Sequence, residues 1–285
     1  MNNENNNIML STILDSRLIT PTFYKKIYNI KLVDCGDYSQ VYIYKTGKLK
    51  SKIVDDIDIK LKKQKSNNFF DNKSNIENTL KEIETRNIMR SKLVCQRYAK
   101  ANMKDWETFI TLTFANNIQD IKNANKRFRY FIDKVRRVKK DFKYLCITEF
   151  QKRGAIHYHL LTNININDNT LLYTQENNSK FRHIKYWNDG FTSIEEIKDD
   201  GKKVIGYISK YMTKDIDNRL FGFRRFFYSK NLNRPIENYI DTNNDIELNF
   251  YLKKIQDKEL IYQNKYINPY DDSEVSFLEF HNSQK

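Results

Sequence analysis

The sequence predicts an α+β protein: a central antiparallel sheet flanked by helices. Three observations carry this. Residues 108–114 and 143–162 are β-rich, and the second stretch is broken by Gln151-Lys152-Arg153-Gly154, which reads as a turn. Residues 118–140 have an apolar stripe at helical spacing. The order strand, helix, strand, turn, strand, helix then requires an antiparallel hairpin with helices laid over it.

Residues 1–22 are read as a flexible lead and 23–75 as a β-hairpin followed by a basic linker. Residues 25–48 alternate through Ile27, Tyr28, Ile30, Leu32 and Val33. They break at Cys35-Gly36-Asp37, resume at Val41 to Tyr44, and break again at Gly47. Residues 49–75 are rich in Lys, Asn and Asp. A helix is expected from about 76, with Ile83, Met89, Leu93 and Tyr98 inward and Arg86, Arg90, Lys92, Arg97 and Lys100 outward. In the helix over 118–140, Phe128, Phe131, Ile132, Val135 and Val138 form the stripe. Ala155 to Thr162 is the next strand. A loop containing Trp187-Asn188-Asp189-Gly190-Phe191 follows, then a helix near 203–216. The main domain is expected over 76–235, with 236–285 as a C-terminal extension.

The chain has 285 residues, 50 Lys+Arg against 36 Asp+Glu, and a net charge of +14. That balance favours a polyanion, nucleic acid or an anionic membrane surface. An A+T-rich coding sequence would raise Lys and Asn as well. With 19 Tyr and 18 Phe, the chain is not a disordered polyelectrolyte. It has no apolar run of about 18 residues, which argues against a membrane span. The polar start MNNENNNIML lacks a signal peptide's basic and apolar regions, so the cytoplasm of a bacterial host is the expected compartment. Cys35, Cys95 and Cys146 show no paired spacing, which argues against a cysteine zinc site.

Two of the four histidines, His157 and His159, sit two apart on an apolar strand. Side chains alternate along a strand, so both face one way while Ile156, Tyr158 and Leu160 face the other. With a hairpin axis at 153 or 154, Glu149 points to the histidine face. One carboxylate and two imidazoles with open positions suit Mg²⁺ or Mn²⁺, with Mn²⁺ the better match to imidazole. The plain alternative is two partly exposed histidines and a surface glutamate.

On a helix, Tyr207, Lys210, Tyr211 and Lys214 share one side, opposite Ile205, Ile208 and Met212. Tyrosines four apart can reach one site. Taken alone, this is equally an ordinary amphipathic helix. A tyrosine hydroxyl with a pKa of about 10 is a weak nucleophile at neutral pH. A divalent metal that polarises a phosphate, and a lysine that offsets developing charge, would supply what it lacks.

These residues resemble the HUH-superfamily endonucleases, in particular two-tyrosine rolling-circle replication initiators of filamentous and small icosahedral phages and of plasmids. The likeness covers about residues 80–235. Phe109 to Phe114 resembles the first motif, Glu149 to His159 the metal motif, and Tyr207 to Tyr211 the nucleophile motif. Trp187 to Phe191 and Phe223 to Ser229 resemble the segments before and after the nucleophile helix. The resemblance implies a palm-like ferredoxin- or RRM-like sheet and a divalent metal held by Glu149, His157 and His159. It implies that Tyr207 and Tyr211 nick and rejoin single-stranded DNA at a replication origin. Tyr207 with Lys210 and Tyr211 with Lys214 both fit Tyr-x-x-Lys, and Tyr207 is expected to act first. No GxxxxGK[ST] occurs, so a host helicase is the expected partner. Arg127, Arg129, Arg136, Arg137 and Lys214 are weaker candidates for phosphate contact; such a run is commonly a solvated helix face. Two other readings stand beside this one. The first is a non-catalytic RRM-like single-strand binding module. The second is a relaxase or transposase of the same superfamily.

Overall fold

A computed structural model of the chain describes residues 27–49, 73–151, 154–175, 178–198, 204, 206, 210–211, 223–268 and 272–282. The lead at 1–22 and nearly all of the 49–75 linker lie outside these residues. The chain divides into two compact units, Thr79–Asn233 and a discontinuous one made of Met1–Asn78 with Arg234–Lys285.

In the discontinuous unit β1 (Ile27–Cys35) and β2 (Tyr38–Leu49) form the expected hairpin. Gly36 takes a φ of 73° at the first turn position, a left-handed conformation that suits glycine and that a two-residue hairpin turn requires. The expected break at Gly47 does not occur; β2 runs through it to Leu49.

Central to the other unit is the sheet of β3 (Thr108–Thr113), β4 (Tyr144–Phe150) and β5 (Ile156–Thr162). It is extended by β8 (Thr192–Glu196) and β9 (Phe226–Tyr228), in the order β8-β3-β5-β4-β9 with antiparallel pairing throughout. A short hairpin of β6 (Leu172–Gln175) and β7 (Asn178–Ile184) precedes β8. The α+β fold with helices over an antiparallel sheet is therefore as the sequence predicts. For β6, β7 and β8 the sequence predicts loop, and the structure corrects this. They are short and polar, with no apolar alternation to mark them, and neighbouring strands supply their hydrogen bonds.

The discontinuous unit is completed by β10 (Ile236–Ile240), β11 (Lys258–Ile267) and β12 (Glu274–Asn282), in the order β10-β1-β2-β12-β11. The region expected as an extension thus supplies strands on both sides of the N-terminal hairpin. A single helix, α3 (Asp245–Ile255), packs Leu248 and Ile255 on Ile30, Leu32, Val41, Ile43, Leu278 and Phe280.

Helices cover both faces of the Thr79–Asn233 sheet. On one face α2 (Ile121–Val138) buries Phe128, Phe131, Ile132 and Val135 against Ile110, Leu112, Ile156, Tyr158 and Leu160. Its N-cap Asp120 accepts a 2.9 Å hydrogen bond from the Lys122 amide. Val138, expected in the stripe, is exposed, because the last turn runs past the sheet edge. On the other face α1 (Lys73–Ala101) packs Cys95, Tyr98 and Ala99 on Phe109, Leu145, Ile147 and Leu161. Here the expected stripe is corrected: Ile83 and Met89 are exposed, Leu93 is only half-buried, and Ile88, Arg97 and Lys100 are buried. Only the last two turns of α1 lie against the sheet, so the contact surface there, not helical periodicity over the whole length, selects the inward residues. No helix among the described residues is long and apolar enough to cross a membrane.

Candidate active site

Register decides which side chains meet. Glu149 of β4 pairs directly with His157 of β5, and His159 pairs with Thr111 of β3 and Ile147 of β4. Pairing across an antiparallel ladder keeps partners on one face. Glu149, His157, His159 and Thr111 therefore point to the side that carries Phe109, Ile147 and Leu161, while Tyr158 points into the α2 core. Tyr158 is fully buried. It stacks on Phe128 at 4.5 Å and donates a 2.7 Å hydrogen bond to Asn125 Oδ1. Burial pushes its hydroxyl pKa well up. It is a core residue and no base-stacking platform.

Glu149, His157 and His159 are 7%, 5% and 4% exposed, so the surface-residue alternative does not hold for them. A carboxylate buried this deeply is costly without a partner of opposite character. Its contact is His159, Nε2 to Glu149 Oε2 at 2.6 Å. The other ring nitrogen of His159, Nδ1, lies 3.1 Å from Thr111 Oγ1. His157 Nδ1 lies 3.2 Å from Gln151 Nε2. Both imidazoles are thus held at Nδ1, which orients their Nε2 atoms. Sequence reasoning misses Thr111 and Gln151 as partners of the histidines. Thr111 is legible only through the β3–β5 register, and Gln151 reads as part of a turn.

Neighbouring donors around one Mg²⁺ or Mn²⁺ ion, with bonds of about 2.1 Å, stand about 3 Å apart. Glu149 and His159 fit that spacing as a pair. Among the described residues no three His, Cys, Asp or Glu side chains stand together closely enough to hold a metal ion. His157 shares the face, but its ring centre is 6.2 Å from that of His159. It would join the pair only by turning its side chain.

Tyr211 lies flat on His159, ring centres 3.7 Å apart and planes 17° apart. Phe109 continues the parallel arrangement, 5.7 Å from Tyr211 and 5.9 Å from His159. Lys210 Nζ sits 5.3 Å from the centre of the Tyr211 ring. Val204, Gly206, Lys210 and Tyr211 are helical. Tyr207 and Lys214 lie outside the described residues, as do Ile205, Ile208 and Met212.

The Trp187 to Phe191 segment fastens to the end of β3. Trp187 Nε1 donates to Thr113 O at 2.8 Å, Ala115 N to Asp189 O at 2.9 Å, and Thr113 N and Oγ1 to Phe191 O at 2.9 and 2.8 Å. A Cβ on Gly190 would collide with the backbone of Thr113, Phe114 and Ala115, only 2.8 Å from the Phe114 carbonyl carbon. Glycine is required there by close approach. Beyond the site, Phe226 of β9 packs toward Phe109 and Leu145, while Phe227 packs toward α2.

The candidate phosphate-contacting arginines are elsewhere. Arg127, Arg129, Arg136 and Arg137 belong to α2, which covers the opposite face of the sheet from His157 and His159. Arg127 is ion-paired with Asp189, and Arg136 lies over the Tyr144 ring at 5.7 Å. Thr79–Asn233 holds 31 Lys+Arg against 17 Asp+Glu and thus accounts for the whole net charge of +14. The discontinuous unit holds 19 of each.

Residues 107–216, from β3 through Tyr211, match the family model of the replication-associated protein ORF2. Over 132 residues the chain is 27% identical to the Phasyl DNA replicon protein arp of Escherichia coli, covering 41% of this chain and 46% of that protein. The match therefore spans a little under half the length of this relative. No solved structure matches. Both similarities are to replication proteins, and they support a phage or plasmid replication initiator.

Proposed function

We propose that the chain nicks and rejoins single-stranded DNA at a replication origin through a tyrosine–phosphate intermediate, and so initiates rolling-circle replication. The observation that carries this reading is the buried Glu149–His159 contact with the Tyr211 ring laid on His159. Tyr207 is the first nucleophile and Tyr211 its alternating partner. Glu149, His157 and His159 hold a divalent ion, Mn²⁺ or Mg²⁺, which when bound polarises the scissile phosphate.

The chain's own residues do the rest. The phenolic oxygen attacks phosphorus, the P–O3′ bond breaks, the departing 3′ oxygen takes up a proton, and the phenolic proton is released to solvent. Lys210, beside the Tyr211 ring, offsets negative charge on the phenolate or phosphate. The product is a 5′-phosphotyrosine ester and a free 3′-hydroxyl. Attack by a 3′-hydroxyl on that ester reverses the step, so joining needs no nucleotide cofactor. A second tyrosine allows a second cut while the first holds an end. Strand unwinding is assigned to a separate helicase. A non-catalytic binding module gives no reason to bury a glutamate against two imidazoles.

The test is incubation with single-stranded origin DNA and Mn²⁺, followed by a denaturing gel. A covalent protein–DNA adduct is expected, abolished by EDTA and by the double change Tyr207→Phe/Tyr211→Phe. No adduct across candidate origins, or one that survives the double change, overturns the reading.

A further inference from the structure

The α2 helix carries seven cations, Lys122, Lys126, Arg127, Arg129, Lys134, Arg136 and Arg137, against one carboxylate, Asp133. Composition alone does not explain this. The discontinuous unit, encoded in the same chain, holds equal numbers of the two signs. Two of the seven have structural work: Arg127 pairs with Asp189, and Arg136 covers Tyr144. Lys122, Lys126, Arg129 and Arg137 are exposed and, among the described residues, make no ion pair. At 100° per residue they fall on one stripe, centred opposite the buried Phe128, Phe131 and Val135. The stripe is about 22 Å long at 1.5 Å rise per residue. Cations four apart on a helix repel one another, so the arrangement is stabilised by an anion laid along it.

We propose that this stripe is a second nucleic-acid surface, one that grips the phosphate backbone of duplex DNA on the face opposite the nicking site. Duplex rather than single strand is favoured by the stripe's chemistry. Single-strand sites combine charge with rings on which bases stack, and only one ring, Tyr130 at 58% exposure, lies among these cations. A duplex presents a rigid array of about one charge per 1.7 Å of axis, suited to a rigid row of cations. The proposal deepens the origin-nicking reading by assigning the double-stranded flank of the origin its own surface, and rests on that reading for the identity of the DNA.

The experiment titrates the full chain against a fluorescent 20-base-pair duplex and a 12-nucleotide single strand between 50 and 200 mM salt. The wild type is compared with Lys122→Ala/Lys126→Ala/Arg129→Ala/Arg137→Ala. The duplex-to-single-strand affinity ratio is expected to fall at least 10-fold. The slope of log K against log salt for duplex is expected to shrink by about 3 to 4, as loss of four phosphate contacts requires. The milder pair Lys126→Gln/Arg129→Gln, checked by thermal melt, should give about half the change in slope. An unchanged duplex affinity and slope overturns the proposal. So does an equal loss on both DNAs, which would place the stripe on the single-strand path. Loss of binding to phosphatidylserine vesicles with duplex binding intact would overturn it in favour of a membrane surface. Because the readout is binding, a wild type that forms no covalent adduct defeats the nicking reading while the titration still decides the stripe.

Discussion

The Tyr211 ring covers the imidazole of His159, ring centres 3.7 Å apart, while the edge of that imidazole meets Glu149 at 2.6 Å. A tyrosine and a buried acid–imidazole pair are thus brought together from separate segments of the chain.

Tyr211→Phe keeps the ring and removes the hydroxyl. Nicking is expected to persist through Tyr207, whereas transfer of a held strand to a second end is lost. A two-oligonucleotide joining assay separates the two products. Tyr211→Ala also removes the stack on His159 and Phe109, worth about 1 kcal/mol beyond area burial, and lowers the melting temperature where Tyr211→Phe does not.

Glu149→Gln preserves shape and removes the carboxylate charge. Mn²⁺ affinity, followed by calorimetry, is expected to fall at least about 10-fold, with adduct formation falling in parallel. Unchanged Mn²⁺ binding would separate Glu149 from the metal.

Thr111→Val removes the hydroxyl at His159 Nδ1 and keeps the branched shape. An orienting partner of a metal-bound histidine is typically worth about 10- to 100-fold in metal affinity. Thr111→Ser is expected to restore most of it. If Val and Ser behave alike, Thr111 is only a packing residue.

Gly190→Ala forces a methyl group into the backbone of β3. The loss is expected to be about 2 kcal/mol or more, about 4–8 °C in melting temperature for a unit of this size. It is read by thermal denaturation with the far-UV spectrum as control.

Truncation after Ile255 removes β11 and β12. β12 pairs with β2 along Val275 to His281, and its Leu278 and Phe280 lie in that unit's core. Amides of β1 and β2 are expected to lose hydrogen-exchange protection. Retained protection would show that the hairpin stands without its C-terminal strands.

Much of the central sheet is legible in the sequence, because the apolar alternation of β3 and β5 and the stripe of α2 are strong local patterns. The same-face geometry of Glu149 and His157 is also within reach, since a tight turn around residue 153 fixes parity. The strands β6, β7 and β8 are not legible: they are short and polar and owe their pairing to neighbours. The outer turns of α1 mislead, since Ile83 and Met89 have the spacing of a buried stripe but extend beyond the sheet that would cover them.

What the sequence by itself determined is the chemistry available: two histidines in phase, a glutamate across a turn, tyrosines on a lysine-bearing helix, and a strong positive balance. Tertiary structure alone decided which of these meet. It joined the first strands and the last into one sheet, because pairing depends on spatial neighbours that no local pattern names. It set Thr111 behind His159 and Tyr211 over it. It also turned the α2 arginines away from the histidines, because α2 buries its apolar stripe on the other face of the sheet and its charged side must point outward from there.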